Sequence, residues 1–473
     1  MTAVTAVTGA TTAVPSLGRR VLALMGPMVV ASVMGQAIAQ TDLWVISTLG
    51  EQAVAAAAVP QRLLLLDSIT AMAMGPVVGL SVAGAASAHA RRRAVQGGLV
   101  GATAAGLLIA AVGLAVLPYL VDALVAAPGI RDNTQSALLW LLVATPVRLA
   151  QFVGAMALFA LRRSRPLLTL YAVAVVANAA LDWFFVHGAG LGFAGAYAAT
   201  SVIAALECAV TLWLLRDHLS VSPRLRDSAR WLRQVARSMI TEWGHMLSVI
   251  GFELLLVLAL TLNASWADRL AAFSAGAVLT ATLHIPITAL VNATGMVCKD
   301  GAPSPREWRS LSGGVLAVSA AVCVLVATAS WTVLPGLYDL HGTAATWFTW
   351  LMAAQAVAFP FRLLAATAEG RHKAADRFGV VLRLRLLQEF GIALPLFLVG
   401  LLTDNGALAW SGIALGCAVN YWLLQVRCPT RLPATPAPPV ALPSGDARSH
   451  SGGGPKPSPA HPPRRPPPAD APA

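Results

Sequence analysis

Four oxygen-bearing side chains in otherwise apolar stretches are the residues of this chain best suited to chemistry. Asn178 and Asp182 stand four residues apart in VVANAALDWFFV at 175–186, a spacing that sets both on one face of a helix. Asp42 lies in a second apolar run and Thr200 in a third. A central Asp in a membrane helix costs about 2.5 to 3.5 kcal/mol, so an acid retained there reads as functional. Two carboxylates held close do not both ionise readily, and the pair can hold a proton. Alternatively they share a hard cation such as Na⁺, with further oxygen ligands from Asn178 and Thr200. Either use makes a coupling-ion site. Taken singly, each residue has a plainer use: a back-bonding helix Thr, an Asn bridging helices, an Asp reaching interfacial water.

The elements that must position these residues follow from composition. The chain has 473 residues, 57% hydrophobic and 11% charged, outside the range of a soluble globular domain. Apolar runs long enough to span a bilayer fall at 21–46, 60–86, 95–117, 137–161, 166–186, 192–215, 240–262, 270–295, 311–334, 346–368, 379–402 and 407–426. The expected fold is therefore an all-α polytopic membrane protein with twelve transmembrane helices. The net charge of +12 is concentrated in alternate loops, at Arg91 to Arg93, Arg162 to Arg165, six arginines between 216 and 237, Lys299 to Arg309, and 371–385. By the positive-inside rule these loops and both termini face the cytoplasm, which removes nucleic acid as a partner. Five cysteines show no zinc or disulfide spacing and are expected as reduced thiols. No cleavable signal peptide is evident at residues 1–18.

With this orientation, Asp42 lies ~6 Å and Thr200 ~12 Å below the outer surface at 1.5 Å per residue. Asp182 matches Asp42 in depth, and Asn178 is one turn deeper. Three spans of one lobe thus bring two acids, an amide and a hydroxyl to the outer half of the membrane.

A duplication divides the chain. CAVTLWLL at 208–215 echoes CAVNYWLL at 417–424, and TPVRL at 145–149 echoes FPFRL at 359–363. Such repeats imply two pseudo-symmetric six-helix bundles with a central cavity between them. The expected organisation is a cytoplasmic segment 1–20, a first lobe 21–215, a basic linker 216–239, a second lobe 240–428 and a tail 429–473. In the linker, Leu225, Trp231, Leu232 and Val235 stand among arginines, the pattern of a helix lying on an anionic inner surface; a solvated charged connection is the alternative. Half of the 30 prolines lie in the tail, which is expected to be disordered, although PPRRPPP at 462–468 could dock in an aromatic groove.

Other polar residues carry weaker signals. Glu253, about 20 Å into span seven, is a candidate proton or substrate acid of the second lobe. Asp67 could pair with Arg62. Arg148 and Arg362, in the repeated motif, are expected to pin helix packing or neutralise an acid. Pro27 lacks an N–H and should loosen span one fifteen residues before Asp42. Glu207 and His284 stay unassigned.

PMVV at 27–30, TDLWV at 41–45 and TLGEQAVAA at 48–56, with NAALD at 178–182 and GLGFAGAYAAT at 190–200, resemble spans one, five and six of the multidrug and toxic compound extrusion (MATE) transporters. The layout is similar over residues 20–428. The resemblance implies alternating access and cation-coupled drug efflux, with the first-lobe ion site on Asp42, Asn178, Asp182 and Thr200 and the bend at Pro27. Glu253 falls where some members carry an acid. The second lobe departs elsewhere: Ala358 replaces a carboxylate of some members, and AlaGluGly at 368–370 replaces LeuArgGly.

The expected function is export of amphipathic cationic organic compounds by an H⁺ or Na⁺ antiporter. No other cofactor is expected, and the chain should act as a monomer in a bacterial plasma membrane. A lipid-linked oligosaccharide flippase is the nearest alternative. An intramembrane enzyme is disfavoured by short loops and by the lack of HExxH or GxSxG motifs. A tail-mediated scaffold would need residues 430–473 for its function.

Overall fold

A computed structural model describes residues 16–50, 53, 56, 57, 60, 65–124, 128–219, 225–261, 266–338 and 340–427. Twelve long helices order the described chain. In the first half these are α1 (Leu17–Ser47), α2 (Leu65–Ala83), α3 (Ala88–Leu124), α4 (Pro128–Ala160), α5 (Ser164–Gly188) and α6 (Phe193–Leu215). The second half contains α7 (Leu225–Thr261), α8 (Trp266–Asp300), α9 (Pro305–Thr332), α10 (Gly342–Ala374), α11 (Phe378–Leu402) and α12 (Gly406–Val426). Among the described residues there is no strand, and 11 helices are long and apolar enough to cross a membrane. The twelfth, α2, contributes the shorter apolar stretch Asp67–Ala83. The chain is an all-helical multi-pass membrane protein. Residues 1–15 and the tail from 428 lie outside the described residues, as does Arg62.

Prolines sit inside several of these helices, at Pro27, Pro76, Pro146, Pro286 and Pro360 among others. Each removes a ladder hydrogen bond, which membrane helices tolerate because neighbouring groups satisfy the freed carbonyl.

The basic linker and span seven are continuous. A single helix runs from Leu225 to Thr261, and Trp231, Leu232 and Val235 of its basic first part pack on protein. Trp231 is buried against Gly97, where its ring stands 2.5 Å from the place of a missing Cβ, and Leu232 packs against Gly101 of the same helix. The two glycines, one turn apart on α3, open a notch that these side chains fill. Packing on protein satisfies the same apolar stripe that a lipid surface would.

The cores place the two lobes. At the end carrying the arginine-rich turns, one apolar cluster draws on both halves of the chain, including Leu17, Leu24, Leu80 and Leu158 from the first and Leu290, Met296, Leu311 and Leu363 from the second. Gly79 of α2 meets Met296 of α8 across this seam, and Leu80 covers Gly295. Arg162 donates to Asp300 at 2.7 Å and Arg20 to Glu307 at 3.4 Å, both between lobes. At the opposite end the clusters are separate. Val45, Ile46, Ala137, Leu141 and Phe193 belong to the first lobe alone, whereas Leu260, Trp347, Phe397 and Trp410 belong to the second alone. The lobes are joined at the basic end and have their own cores at the other.

Candidate functional site

Three helix ends of the first lobe build a polar cluster. α1 carries Asp42 five residues before its last residue, Ser47. In α5, Asn178 and Asp182 occupy successive turns immediately before the helix widens into a π turn at Phe184–Gly188. Single π turns of this kind often mark functional positions in helices. α6 starts after Gly192, whose φ of 54° a side chain would disfavour, and Thr200 sits two turns further in. Outside the cluster, Trp44 stacks on Trp183 at 6.3 Å, Trp183 lies 4.5 Å from His187, and Thr48 Oγ1 is 3.0 Å from His187 Nε2. These contacts clasp the ends of α1 and α5 together.

The four expected residues meet. Asn178 Nδ2 donates one hydrogen to Asp42 Oδ1 at 2.6 Å and the other to Asp182 Oδ2 at 2.7 Å. Thr200 Oγ1 donates to the second Asp42 oxygen at 2.8 Å. Asn178 and Asp182 are fully buried, and Asp42 and Thr200 are half-buried. One amide therefore bridges two carboxylates, and Asp42 accepts on both oxygens. Asp182 Oδ1 and Asn178 Oδ1 are buried with no hydrogen-bond partner, an expensive state for acceptors. A proton on Asp182, or a small hard cation, would complement those two oxygens. Among the described residues no group of three or more His, Cys, Asp or Glu side chains is placed to hold a metal ion. A metal here would rest on two carboxylates, an amide and a hydroxyl, a donor set suited to an alkali or alkaline-earth ion.

Pro27 lies inside α1, about 22 Å from Asp42 along the axis by helical rise. Lacking an N–H, it leaves the Ala23 carbonyl without its helical donor. Asp67 pairs with Arg148 of α4 at 3.2 Å, so Arg148 neutralises an acid from two spans away.

Glu253 is not brought to this cluster. It lines a cavity of about 60 Å³ in the second lobe, with His284, Gln355, Arg362, Arg385 and Glu389 among its walls. Helices α7, α8, α10, α11 and α12 form it. Arg362 joins no acid there; it donates to Gln355 Oε1 at 2.6 Å and to Cys417 Sγ at 3.3 Å. Arg385 donates to Glu389 at 2.5 Å, and Gln388 accepts from Asn420 at 2.8 Å. This polar set escaped the sequence reading, which counted Arg385 with the cytoplasmic loop charges. Its signal was the four-residue spacing of Arg385 and Glu389 inside span eleven.

A family model described as MatE matches residues 27–184. Sequence comparison finds no similar curated protein. The fold superposes on the crystal structure of MATE in the bent conformation with a TM-score of 0.76 at 15% identity, covering 86% of this chain and 94% of that one. It matches the eukaryotic MATE transporter AtDTX14 with a TM-score of 0.73 at 16% identity, covering 86% and 94%. An outward-facing multidrug resistance MATE family transporter of the MOP superfamily gives 0.72 at 16%, covering 87% and 95%. At these identities the likeness is one of fold.

Proposed function

We propose that this chain, which carries a MatE domain and the MATE fold, is a transporter rather than an enzyme, exporting amphipathic organic cations in exchange for H⁺ or Na⁺. The observation that carries this reading is the Asn178 amide bridging Asp42 and Asp182, two acids inside membrane-length helices. The four-residue cluster serves as the coupling-ion site. Glu253 serves as a second acid in the other lobe, and Pro27 as the flexible point of α1.

The basic end faces the cytoplasm by the positive-inside rule, and the protein works as a monomer in a bacterial plasma membrane. The core shared by both lobes at that end, and not at the other, supports reading this conformation as the outward-facing one. An ion arriving from outside then neutralises the carboxylate pair and fills its orphaned acceptors. The bridging amide no longer needs to divide its hydrogens between two negative charges. α1 is freed to shift about Pro27, and the change displaces substrate from the space between the lobes. Release of the ion to the cytoplasm restores the charged pair and resets the carrier. Each charge moved down the membrane potential supplies about 2.3 kcal/mol per 100 mV, more than a tenfold gradient requires.

Reconstituted vesicles with separately imposed pH and Na⁺ gradients test this. Gradient-driven uptake of a cationic dye is expected with one of the two ions and is expected to vanish in Asp42→Asn and in Asp182→Asn. Unchanged dye movement in both variants would remove the cluster from the mechanism.

A further inference from the structure

Glu207 is a buried acid of the first lobe outside the four-residue cluster, and its Oε1 has no hydrogen-bond partner. Thr200, Glu207 and Thr211 follow one stripe of α6, at intervals of seven and four residues. Glu207 therefore stands two turns, or ~10 Å by helical rise, from the Thr200 hydroxyl that serves Asp42, on the side of the basic end. α5 repeats the arrangement in the opposite chain direction. Tyr171 lies two turns before Asn178 on the same face, and its hydroxyl accepts from Gln151 Nε2 of α4 at 2.9 Å.

The register of α4 on α6 brings these residues to one level. Gly154 meets Thr211, whose methyl stands 2.6 Å from the place of a missing Cβ. Both helices run toward the basic end, so one turn back from that contact Gln151 and Glu207 are level. Tyr171 is close enough to feel the charge of Glu207, and Arg148 acts electrostatically on Glu207, Asp67 and Asp42 alike. α1 also packs on α6, but it carries no titratable residue between Arg20 and Asp42. The groups facing Glu207 are thus Arg148 and Tyr171. Arg148 is held by Asp67 at 3.2 Å, so Glu207 confronts a cation that already has a counter-ion. A buried carboxylate oxygen without a donor is satisfied by a proton. Because Tyr171 accepts from Gln151, its own hydrogen is left to donate.

We propose that Glu207 is a relay acid that carries the coupling proton from the Asp42 and Asp182 pair toward the cytoplasm, with the Tyr171 hydroxyl as its hydrogen-bond partner. This rests on the transporter reading and narrows its coupling ion to H⁺. The proton leaves a carboxyl of the pair, crosses on water, binds Glu207 Oε1 and is given up to water when the basic end opens. The pair regains its negative charge as Glu207 is neutralised, and only O–H bonds are exchanged. Thr211, whose buried Oγ1 also lacks a partner, stands one turn further along, and α6 ends one turn beyond it at Leu215.

The test uses the full chain in proteoliposomes and one cationic dye. It compares accumulation driven by an imposed pH gradient with dye-for-dye exchange in the absence of a gradient. Exchange requires no proton release, so a relay acid serves the first and not the second. Glu207→Gln is expected to lower driven transport at least about tenfold while exchange keeps at least about a third of its rate. Glu207→Asp, which restores the carboxyl, is expected to bring driven transport back to within about threefold of the wild type. Tyr171→Phe is expected to slow driven transport about threefold with exchange retained, and it decides the matter together with Glu207→Asp should Glu207→Gln fail to fold. Driven transport at the wild-type rate in Glu207→Gln, or in Tyr171→Phe where that variant decides, overturns the proposal. A parallel loss of driven transport and exchange in a folded variant overturns it too. A wild type driven by a Na⁺ gradient alone also overturns it and leaves the transporter reading standing, whereas a wild type driven by neither gradient removes both.

Discussion

Arg162 and Asp376 close equivalent turns with the same left-handed backbone, φ 61° and 57°, and both reach the end of α8. Arg162 pairs with Asp300 at 2.7 Å and Asp376 with Lys299 at 3.0 Å. Each turn residue follows the arginine of its repeated motif by the same interval, 148 to 162 and 362 to 376. The duplication has thus left two grips on consecutive residues of one helix, one from each lobe.

The Arg162 and Asp300 pair crosses between lobes and is partly exposed, so its worth to overall stability is below about 1 kcal/mol. Its effect on the balance between open and closed states should be larger in proportion. Asp300→Arg is expected to widen the spin-label distance distribution across the basic end without a marked fall in melting temperature. The swap Arg162→Asp with Asp300→Arg should narrow it again; no narrowing would mean that the pair does not hold the lobes.

The seam offers a steric version of the same experiment. Gly79 lies against Met296 of the other lobe. Gly79→Leu should wedge the basic end apart, shifting the population toward the state accessible from that side. Accessibility of a cysteine placed at Leu80 to a membrane-impermeant thiol reagent, applied in inverted vesicles, is expected to rise several-fold; unaltered labelling would contradict a packed seam.

Asn178→Ala removes both donors that the two carboxylates share. Leaving buried acceptors unsatisfied costs about 1–3 kcal/mol, so the variant should melt earlier and lose ion-coupled dye transport. Asn178→Asp puts a third acid into the cluster and should be worse in transport than Ala. Transport by Asn178→Ala at the wild-type rate would show the bridge to be dispensable.

Glu242 and Lys373 form a fully buried pair between α7 and α10, with His245 3.6 Å from the same carboxylate. Breaking a buried pair from one side strands the other charge at a cost of about 3–5 kcal/mol. Glu242→Gln and Lys373→Met are each expected to lower expression and melting temperature sharply, and the double variant to recover most of the loss. Additive damage in the double variant would rule out a mutual dependence.

Gly195 of α6 sits where a Cβ would stand 2.8 Å from the Phe185 carbonyl carbon, in the π turn that follows Asp182. Gly195→Ala should push that turn away and misplace Asp182 relative to Asp42. The expected result is reduced coupling with a folded protein, measured as dye transport per unit of correctly folded carrier; a fully active variant would free the π turn from any role in the site.

The first-lobe cluster was legible because its signals are local. Asn178 and Asp182 share a helix face by spacing alone, and the charge of the loops gave Asp42 and Thr200 expected depths on the same side of the bilayer. The Arg148 and Asp67 pair was not legible, since its partners lie 81 residues apart on spans two and four and Arg62 stood nearer in sequence. The second-lobe cavity was hidden for another reason. Its Glu389 lies within the π turn Leu387–Ala393 and Arg385 two residues before it, so the helical period slips between them, and Arg385 follows a basic loop closely enough to be counted with it. The continuous α7 was illegible in principle: an apolar stripe among arginines reads alike whether lipid or the glycine notch of α3 receives it.

The apolar seam at the basic end has one further consequence. In any state open to that side its side chains would line an aqueous vestibule, so closing it is driven by release of ordered water rather than by lipid. Such a drive weakens on cooling. Chilled samples should accordingly favour the state open at the basic end, and the occupancy of the two states would carry a heat-capacity signature set by the area of Leu24, Leu80, Met296 and their neighbours.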